Sequence, residues 1–401
     1  MGNEAGDADS IISSLTLSFV NSITEMSTST NKDSTCSSKI DTISLPLASI
    51  KRNDMALRRD VVLLLQMAGI DSDKLVYLDD AIFTSMAQNN DIHKEITLVD
   101  HNKLRSDLWS LEDCVVEILD HHQDEGGHES SVTADKREVA FQNQVALVGS
   151  TCTLVTERLI KADATRKVDA GLGLTLLGVI LLDTMNMNQE AGKGTRRDQE
   201  AIDFLIRQTE WDALDIDEGT KSRIYGDEGG SNMIENRPPS RSHFYEYLSD
   251  SKFDRSFWLS MSPRDALRID YKRFEPPTGA SHAFGLASVL LDMEDLLSKD
   301  GFHDDAIAYM KEANVDLLGV LTMVIVDDKP QRELLLVGGS DRVGKMMEYL
   351  LNDDSAAFLD ISKVDDVVAI DAGDEDTIIV KLKQGNPKGS RKQVAPVMLS
   401  F

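Results

Sequence analysis

Three apolar stretches in the first half of the chain run straight into an aspartate: TLV into Asp100, EIL into Asp120 and GVILL into Asp183. Around them LRRDVVLLLQMAG (57–69) has helical spacing, while EITLV (95–99) and VVEIL (115–119) read as strands. GSTCTLVTERLIKA (149–162) reads as a helix capped by Ser150 or Thr151. Apolar strands alternating with helices predict an α/β fold around a parallel sheet. Ligand crevices in such sheets lie beyond the carboxyl ends of the strands, so acids placed there can converge. A single acid after a strand is ordinarily a turn former or a helix cap. Here Asp7 and Asp9 in GNEAGDADS and the His121–His122 pair directly after Asp120 make that reading insufficient for the set.

A chain of 401 residues exceeds one comfortable core, so two domains are expected. The N-terminal domain is expected over 1–208 and a connecting segment over 209–255, where GDEGGSNMIENRPPSRS (226–242) is rich in Gly, Ser and Pro. A smaller C-terminal α/β domain follows over 256–401. Within it SPRDALRIDYKRF (262–274) opens with a Ser262 cap and Pro263 at the first helical position. GLASVLLDMEDLL (285–297) reads as a helix, and strands are expected within 315–326, 333–339 and 376–383. The uncharged run 171–182 fits a buried helix by its length, and 195–208 is a further helix. Residues 27–40 read as a polar loop.

Charge and cysteine usage limit the partners. A net charge of −27 argues against nucleic acid and anionic membranes, both of which require positive potential. The longest apolar run is too short for a bilayer, and the acidic start MGNEAGDADS does not resemble a signal peptide. Cys36, Cys114 and Cys152 are widely spaced and odd in number, which points to a reduced cytosolic or nuclear compartment, with a cytoplasmic setting the expectation, and excludes a zinc finger. Carboxylates mixed with imidazoles suit Mn²⁺, Mg²⁺ or Co²⁺.

The D-x-D-S of Asp7 to Ser10, the V-D of Val99–Asp100, the D-H-H at 120–122 and the D-T-M-N at 183–186 stand in the order of the motifs of the DHH phosphoesterase superfamily, which this sequence resembles. LRRDV (57–61), AGKGTRRD (191–198), DYKRF (270–274) and SRKQVAP (390–396) are similar to the branch of eukaryotic exopolyphosphatases and prune-type proteins, related to family II inorganic pyrophosphatases. The resemblance implies an N-terminal α/β domain with two divalent ions, and a C-terminal domain closing over the interdomain cleft. It implies Asp7, Asp9, Asp100, His121 and Asp183 as metal ligands, Asp100 bridging, with Asn3 where pyrophosphatases place a ligand histidine. Asp120, His121 and His122 would form the catalytic D-H-H, with His122 facing substrate or the second ion. His128, Lys193, Arg391 and Lys392 would meet phosphate. Arg58 and Arg59 read as ordinary helix surface, and His101 as a neighbour not aimed at metal. The family leads into G-N-E-x-x-x-D with a strand, whereas here the motif follows Met1 at once. Asp7 and Asp9 are therefore expected on weakly anchored backbone, unless another segment supports it.

The activity this implies is hydrolysis of phosphoanhydrides by a hydroxide bridging two ions, with inorganic polyphosphate as substrate and orthophosphate released from its end. Asn3 and the AGKGTRRD stretch favour this over pyrophosphatase activity. The alternatives are a prune-like phosphodiesterase acting on cyclic nucleotides or short polyphosphates or an inorganic pyrophosphatase, and an interaction protein that keeps the fold with weak catalysis.

Overall fold

The aspartates that end apolar segments sit where strands and a buried helix stop. The computed structural model describes residues 1–29, 42–226, 236–275, 283–326, 329–364, 368–369 and 377–401. Cys36, most of the polar loop expected over 27–40, and residues 227–235 of the expected connector lie outside them. The chain divides into two compact units, Met1–Lys252 and Phe253–Phe401.

The first unit runs α1 (Ala8–Ser29), β1 (Leu47–Ala48), α2 (Arg59–Met67), β2 (Val76–Tyr77), α3 (Ala81–Gln88), β3 (Ile96–Val99), β4 (Val115–Asp120), β5 (Arg137–Val139), β6 (Phe141–Gln142), β7 (Val145–Ala146), α4 (Thr151–Ala162), α5 (Ala170–Asp183), α6 (Arg196–Gln208), α7 (Glu218–Tyr225) and α8 (Arg241–Lys252). β3, β4 and β5 form a parallel sheet, β1 and β2 a parallel pair, and β6 and β7 a hairpin. α5 is the uncharged run foreseen as a buried helix, and Ala170 to Leu182 are all buried. Each large aliphatic side chain buried there contributes roughly 1.5–3 kcal/mol. Gly178 makes close packing possible, because a Cβ there would lie 2.7 Å from Leu64 Cδ2 and 2.9 Å from Leu248 Cδ1.

The described part of 209–252 is not a free connector. Phe244 and Leu248 of α8 are fully buried in the core that holds α2 and α5. They stand one helical turn apart and so lie on the same face of α8. The start of the chain is anchored as well. Val99 N donates to Met1 O (2.9 Å) and Met1 N to Thr97 O (2.9 Å), which sets Met1 beside β3. Ser49 Oγ donates to Gly2 O at 2.6 Å.

The second unit runs α9 (Arg255–Ser260), α10 (Pro263–Arg268), β8 (Tyr271–Phe274), β9 (Phe284–Val289), α11 (Met293–Leu297), α12 (Phe302–Ala313), β10 (Leu317–Val326), β11 (Lys329–Gly339), α13 (Ser340–Asn352), β12 (Ile361–Lys363), β13 (Val368–Ala369), β14 (Thr377–Gln384) and α14 (Arg391–Leu399). Its sheet has the order β12-β14-β11-β10-β9-β8, with β13 also on β14. Among its described strands only β9 and β10 pair in parallel. Ser262 accepts from Asp265 N and caps α10, with Pro263 in the first turn. The helix expected over 285–297 is instead β9 followed by α11, which starts where Asp292 accepts from Asp295 N. Likewise 262–274 divides into α10 and β8. No helix among the described residues is long and apolar enough to cross a membrane.

Candidate active site

Asp9 lies in the first turn of α1, and its carboxylate meets the start of α4. Ser150 Oγ (2.7 Å) and Cys152 N (2.8 Å) donate to Oδ1, and Thr151 N (2.7 Å) donates to Oδ2. A helix N-terminus favours such an anion through its unpaired N–H groups and its dipole. α4 is placed in turn by Asp198, which is fully buried and accepts from Gly149 N, Thr153 Oγ1 and Thr195 N and Oγ1. Gly149 is required there, because a Cβ would lie 3.0 Å from Lys193 O and 2.7 Å from Thr184 Cγ2.

Asp100 follows β3 with a left-handed backbone, φ 64°. Asn3 Nδ2 and Ser10 Oγ both donate to its Oδ2 at 2.7 Å, and Thr151 Oγ1 donates to Oδ1 at 3.3 Å. His121, just beyond β4, bonds through Nδ1 to Val148 O at 3.0 Å. That bond makes Nδ1 the protonated nitrogen and turns Nε2 toward the acids. Nε2 lies 3.4 Å from Asp100 Oδ1 and 3.6 Å from Asp9 Oδ2. His122 packs edge-on to His121 with ring centroids 4.8 Å apart, and its Nδ1 is 2.7 Å from Asp120 Oδ1 and 3.6 Å from Asp100 Oδ1. Asp100, His121 and His122 offer ligand atoms within 4.8 Å of one another.

The electrostatics suit a cation. Burial, followed by the charges of Asp100 and Asp183, pushes the Asp9 carboxyl up to about 7, against the opposing pull of His121 and the Thr151 N–H. Asp183 closes the C-terminal end of α5, where the dipole disfavours negative charge. Three acids held in this way gain from positive charge placed among them. Asp120 behaves differently. Burial pushes its carboxyl up, but the charge and hydrogen bond of His122 outweigh burial and hold it well below the usual range. Asn102 Nδ2 donates to its other oxygen at 2.6 Å. Asp120 therefore orients His122.

Several expected roles change. Asn3 is not arranged as a metal ligand: its Oδ1 accepts Ala5 N (2.9 Å) and Gly6 N (3.3 Å), and its Nδ2 orients Asp100. Arg58 is not helix surface. It is 5% exposed, and its Nε donates to Ala5 O (3.1 Å) and Gly6 O (3.0 Å) and its Nη2 to Ala5 O (2.6 Å), which clamps the loop before Asp7. Only the resemblance of LRRDV hinted at this, because a buried arginine has no signature in periodicity. Asp7 Oδ1 accepts Ser10 N at 3.0 Å, which ties it to the first turn of α1. His128 is buried, its Nε2 accepts Leu104 N at 2.9 Å, and burial lowers its pKa. It braces the loop after Asp100. His101 bonds through Nδ1 to Val99 O at 2.9 Å. Lys193 lies on the loop against Gly149. In the second unit Arg391 Nη2 pairs with Asp270 Oδ1 at 2.7 Å and Nη1 donates to Asp270 O at 2.9 Å, joining the DYKRF and SRKQVAP motifs. Lys392 follows in the first turn of α14.

Residues 252–401, in effect the second compact unit, match the DHHA2 domain family. The chain is 27% identical over 399 residues to exopolyphosphatase PRUNE1 of Rattus norvegicus, covering 99% of this chain and 74% of that protein. It is 28% identical over 336 residues to exopolyphosphatase PRUNE1 of Bos taurus, covering 83% of this chain and 61% of that one. The chain therefore spans about three fifths to three quarters of these relatives. The fold is similar to the crystal structure of a "putative family II inorganic pyrophosphatase" of Methanococcus jannaschii, with a TM-score of 0.56, 18% identity, and coverage of 98% of this chain and 95% of that one. With the ordered aspartate motifs, these likenesses define a DHH-type phosphoesterase fold carrying a DHHA2 domain. The C-terminal residues match the DHHA2 family, and the chain as a whole is similar to the prune-type relatives.

Proposed function

We propose that this protein is a metal-dependent phosphoanhydride hydrolase that releases terminal orthophosphate from inorganic polyphosphate. The observation that carries the reading is the convergence of Asp100 Oδ1 and Asp9 Oδ2 on His121 Nε2 at 3.4 and 3.6 Å. These separations exceed the roughly 2.7–3.2 Å of ordinary hydrogen bonds and match donors sharing an ion. Two divalent ions, Mn²⁺ or alternatively Mg²⁺ or Co²⁺, would be held by Asp7, Asp9, Asp100, His121 and Asp183. When bound they supply Lewis acidity and positive charge against the phosphoryl oxygens.

The chain's own groups do the rest. His121 is held in its ligating tautomer by Val148 O. His122 has Nδ1 engaged by Asp120 and would face a phosphoryl oxygen or the second ion. Because the net charge of −27 opposes a polyanion, local cations are needed, and Lys193, Arg391 and Lys392 are assigned to phosphate. Arg391 would be presented by Asp270. The relatives named as exopolyphosphatases and the cysteine usage support this substrate and a cytoplasmic setting.

Phosphate release from long polyphosphate, pyrophosphate and cyclic nucleotide, with and without Mn²⁺, tests the proposal. Polyphosphate should be preferred, and Asp120→Asn should lower kcat by roughly 10²-fold or more through His122. Turnover of cyclic nucleotide alone, or turnover indifferent to chelator, would overturn the reading.

A further inference from the structure

Asn102, two residues beyond Asp100, is 1% exposed and has its whole amide in use. Nδ2 donates to Asp120 Oδ2 at 2.6 Å and to Gln123 O at 2.9 Å, and Oδ1 accepts Glu125 N at 2.8 Å. Two acceptors and one donor surround it, so only one orientation of the amide satisfies all three. Asp120 is fully buried, and its remaining oxygen lies 2.7 Å from His122 Nδ1. The chain of contacts therefore runs from the loop after β3, through one amide and one carboxylate, to an imidazole in the site. A Cβ at Gly127 would lie 2.9 Å from Asn102 O, so the loop after His122 closes tightly over this residue.

We propose that Asn102 is a positioning residue: it fixes the Asp120 carboxylate, which in turn holds His122 with its proton on Nδ1. The consequence for turnover rests on the hydrolase reading given above, whereas the consequence for the imidazole does not. An isosteric aspartate at 102 keeps the acceptor for Glu125 N but sets a second carboxylate against Asp120. The bond from Glu125 N would survive that change, whereas donation to Asp120 and to Gln123 O would not, so the tautomer of His122 rather than loop stability is the deciding readout.

The test has two arms. In chelator-treated protein, nitrogen-15 NMR of the imidazoles, with His122 assigned by His122→Gln, reads the tautomer above the range in which the ring titrates. The wild type should show His122 protonated at Nδ1 with a strongly deshielded proton, and Asn102→Asp should lose that signal. With Mn²⁺ and polyphosphate, Asn102→Asp should lower kcat by roughly 10–100-fold with KM within about twofold. A wild-type His122 protonated at Nε2 overturns the proposal without recourse to any variant. So does an Asn102→Asp protein with its Nδ1 signal and kcat intact. If the wild type releases no phosphate, the hydrolase reading fails, and the NMR arm still decides the role of Asn102.

Discussion

Asn3 Nδ2 donates to Asp100 Oδ2 at 2.7 Å across 97 residues of sequence, which makes the first loop and the end of β3 one structural piece. Asn3 is 1% exposed, so Asn3→Ala leaves a buried carboxylate and two backbone N–H groups short of partners. It should cost about 2–3 kcal/mol of stability. Urea unfolding would check this; a loss below about 0.5 kcal/mol would mean the loop is held without it.

The Asp9 carboxyl stands at about 7, against 3.8 for an ordinary aspartate, owing first to burial and then to Asp100 and Asp183. A folded value above the unfolded one gives a contribution to stability that is complete below 3.8 and lost as pH rises through about 7. Chelator-treated protein should therefore lose stability over that window, and Mn²⁺ should restore more at pH 8 than at pH 6. Melting temperatures with and without Mn²⁺ at the two pH values measure this. Equal increments would contradict it.

Arg58 holds the carbonyls of Ala5 and Gly6 with a fork that lysine cannot reproduce. Arg58→Lys should loosen the loop carrying Asp7 and Asp9 and weaken Mn²⁺ binding by roughly 10–100-fold. Titration calorimetry reads the change directly. Affinity equal to wild type would show that the loop is preorganised by Asn3 and Ser49 alone.

Arg391 and Lys392 should separate. Arg391 is tied to Asp270, so Arg391→Ala should lower both the melting temperature and polyphosphate affinity. Lys392→Ala should raise KM for polyphosphate by about tenfold, equivalent to roughly 1.4 kcal/mol, with little change in melting temperature. A Lys392→Ala enzyme with unchanged KM would remove that residue from phosphate binding.

Where side-chain pattern reports one-sided burial, sequence and structure agree. α2 and α6 fall within the segments whose spacing is helical, and β4 coincides with VVEIL almost to the residue. GLASVLLDMEDLL misleads because β9 is a central strand buried nearly throughout, so it shows no period of two, and its apolar run passes without a break into α11. Asp9, Asp100 and His121, which the fold brings together, stand in the sequence as candidates by motif order. The role of Asn102 is not legible, and Arg58 and Asp198 stand only within the matching stretches LRRDV and AGKGTRRD, because their partners are backbone groups, hydroxyls and a carboxylate brought near by folding.

The order of aspartates and histidines along the chain, together with apolar runs of strand or helix length, was enough to determine the parallel α/β frame and the acids that end it. Tertiary structure alone decided which atom of each side chain faces the site: Asn3 turns its oxygen to backbone, Asp120 turns to His122, and Arg58 turns inward. The reason is that hydrophobic periodicity is a local property written into neighbouring residues, whereas a buried polar atom takes its direction from whichever donor or acceptor distant segments bring within reach.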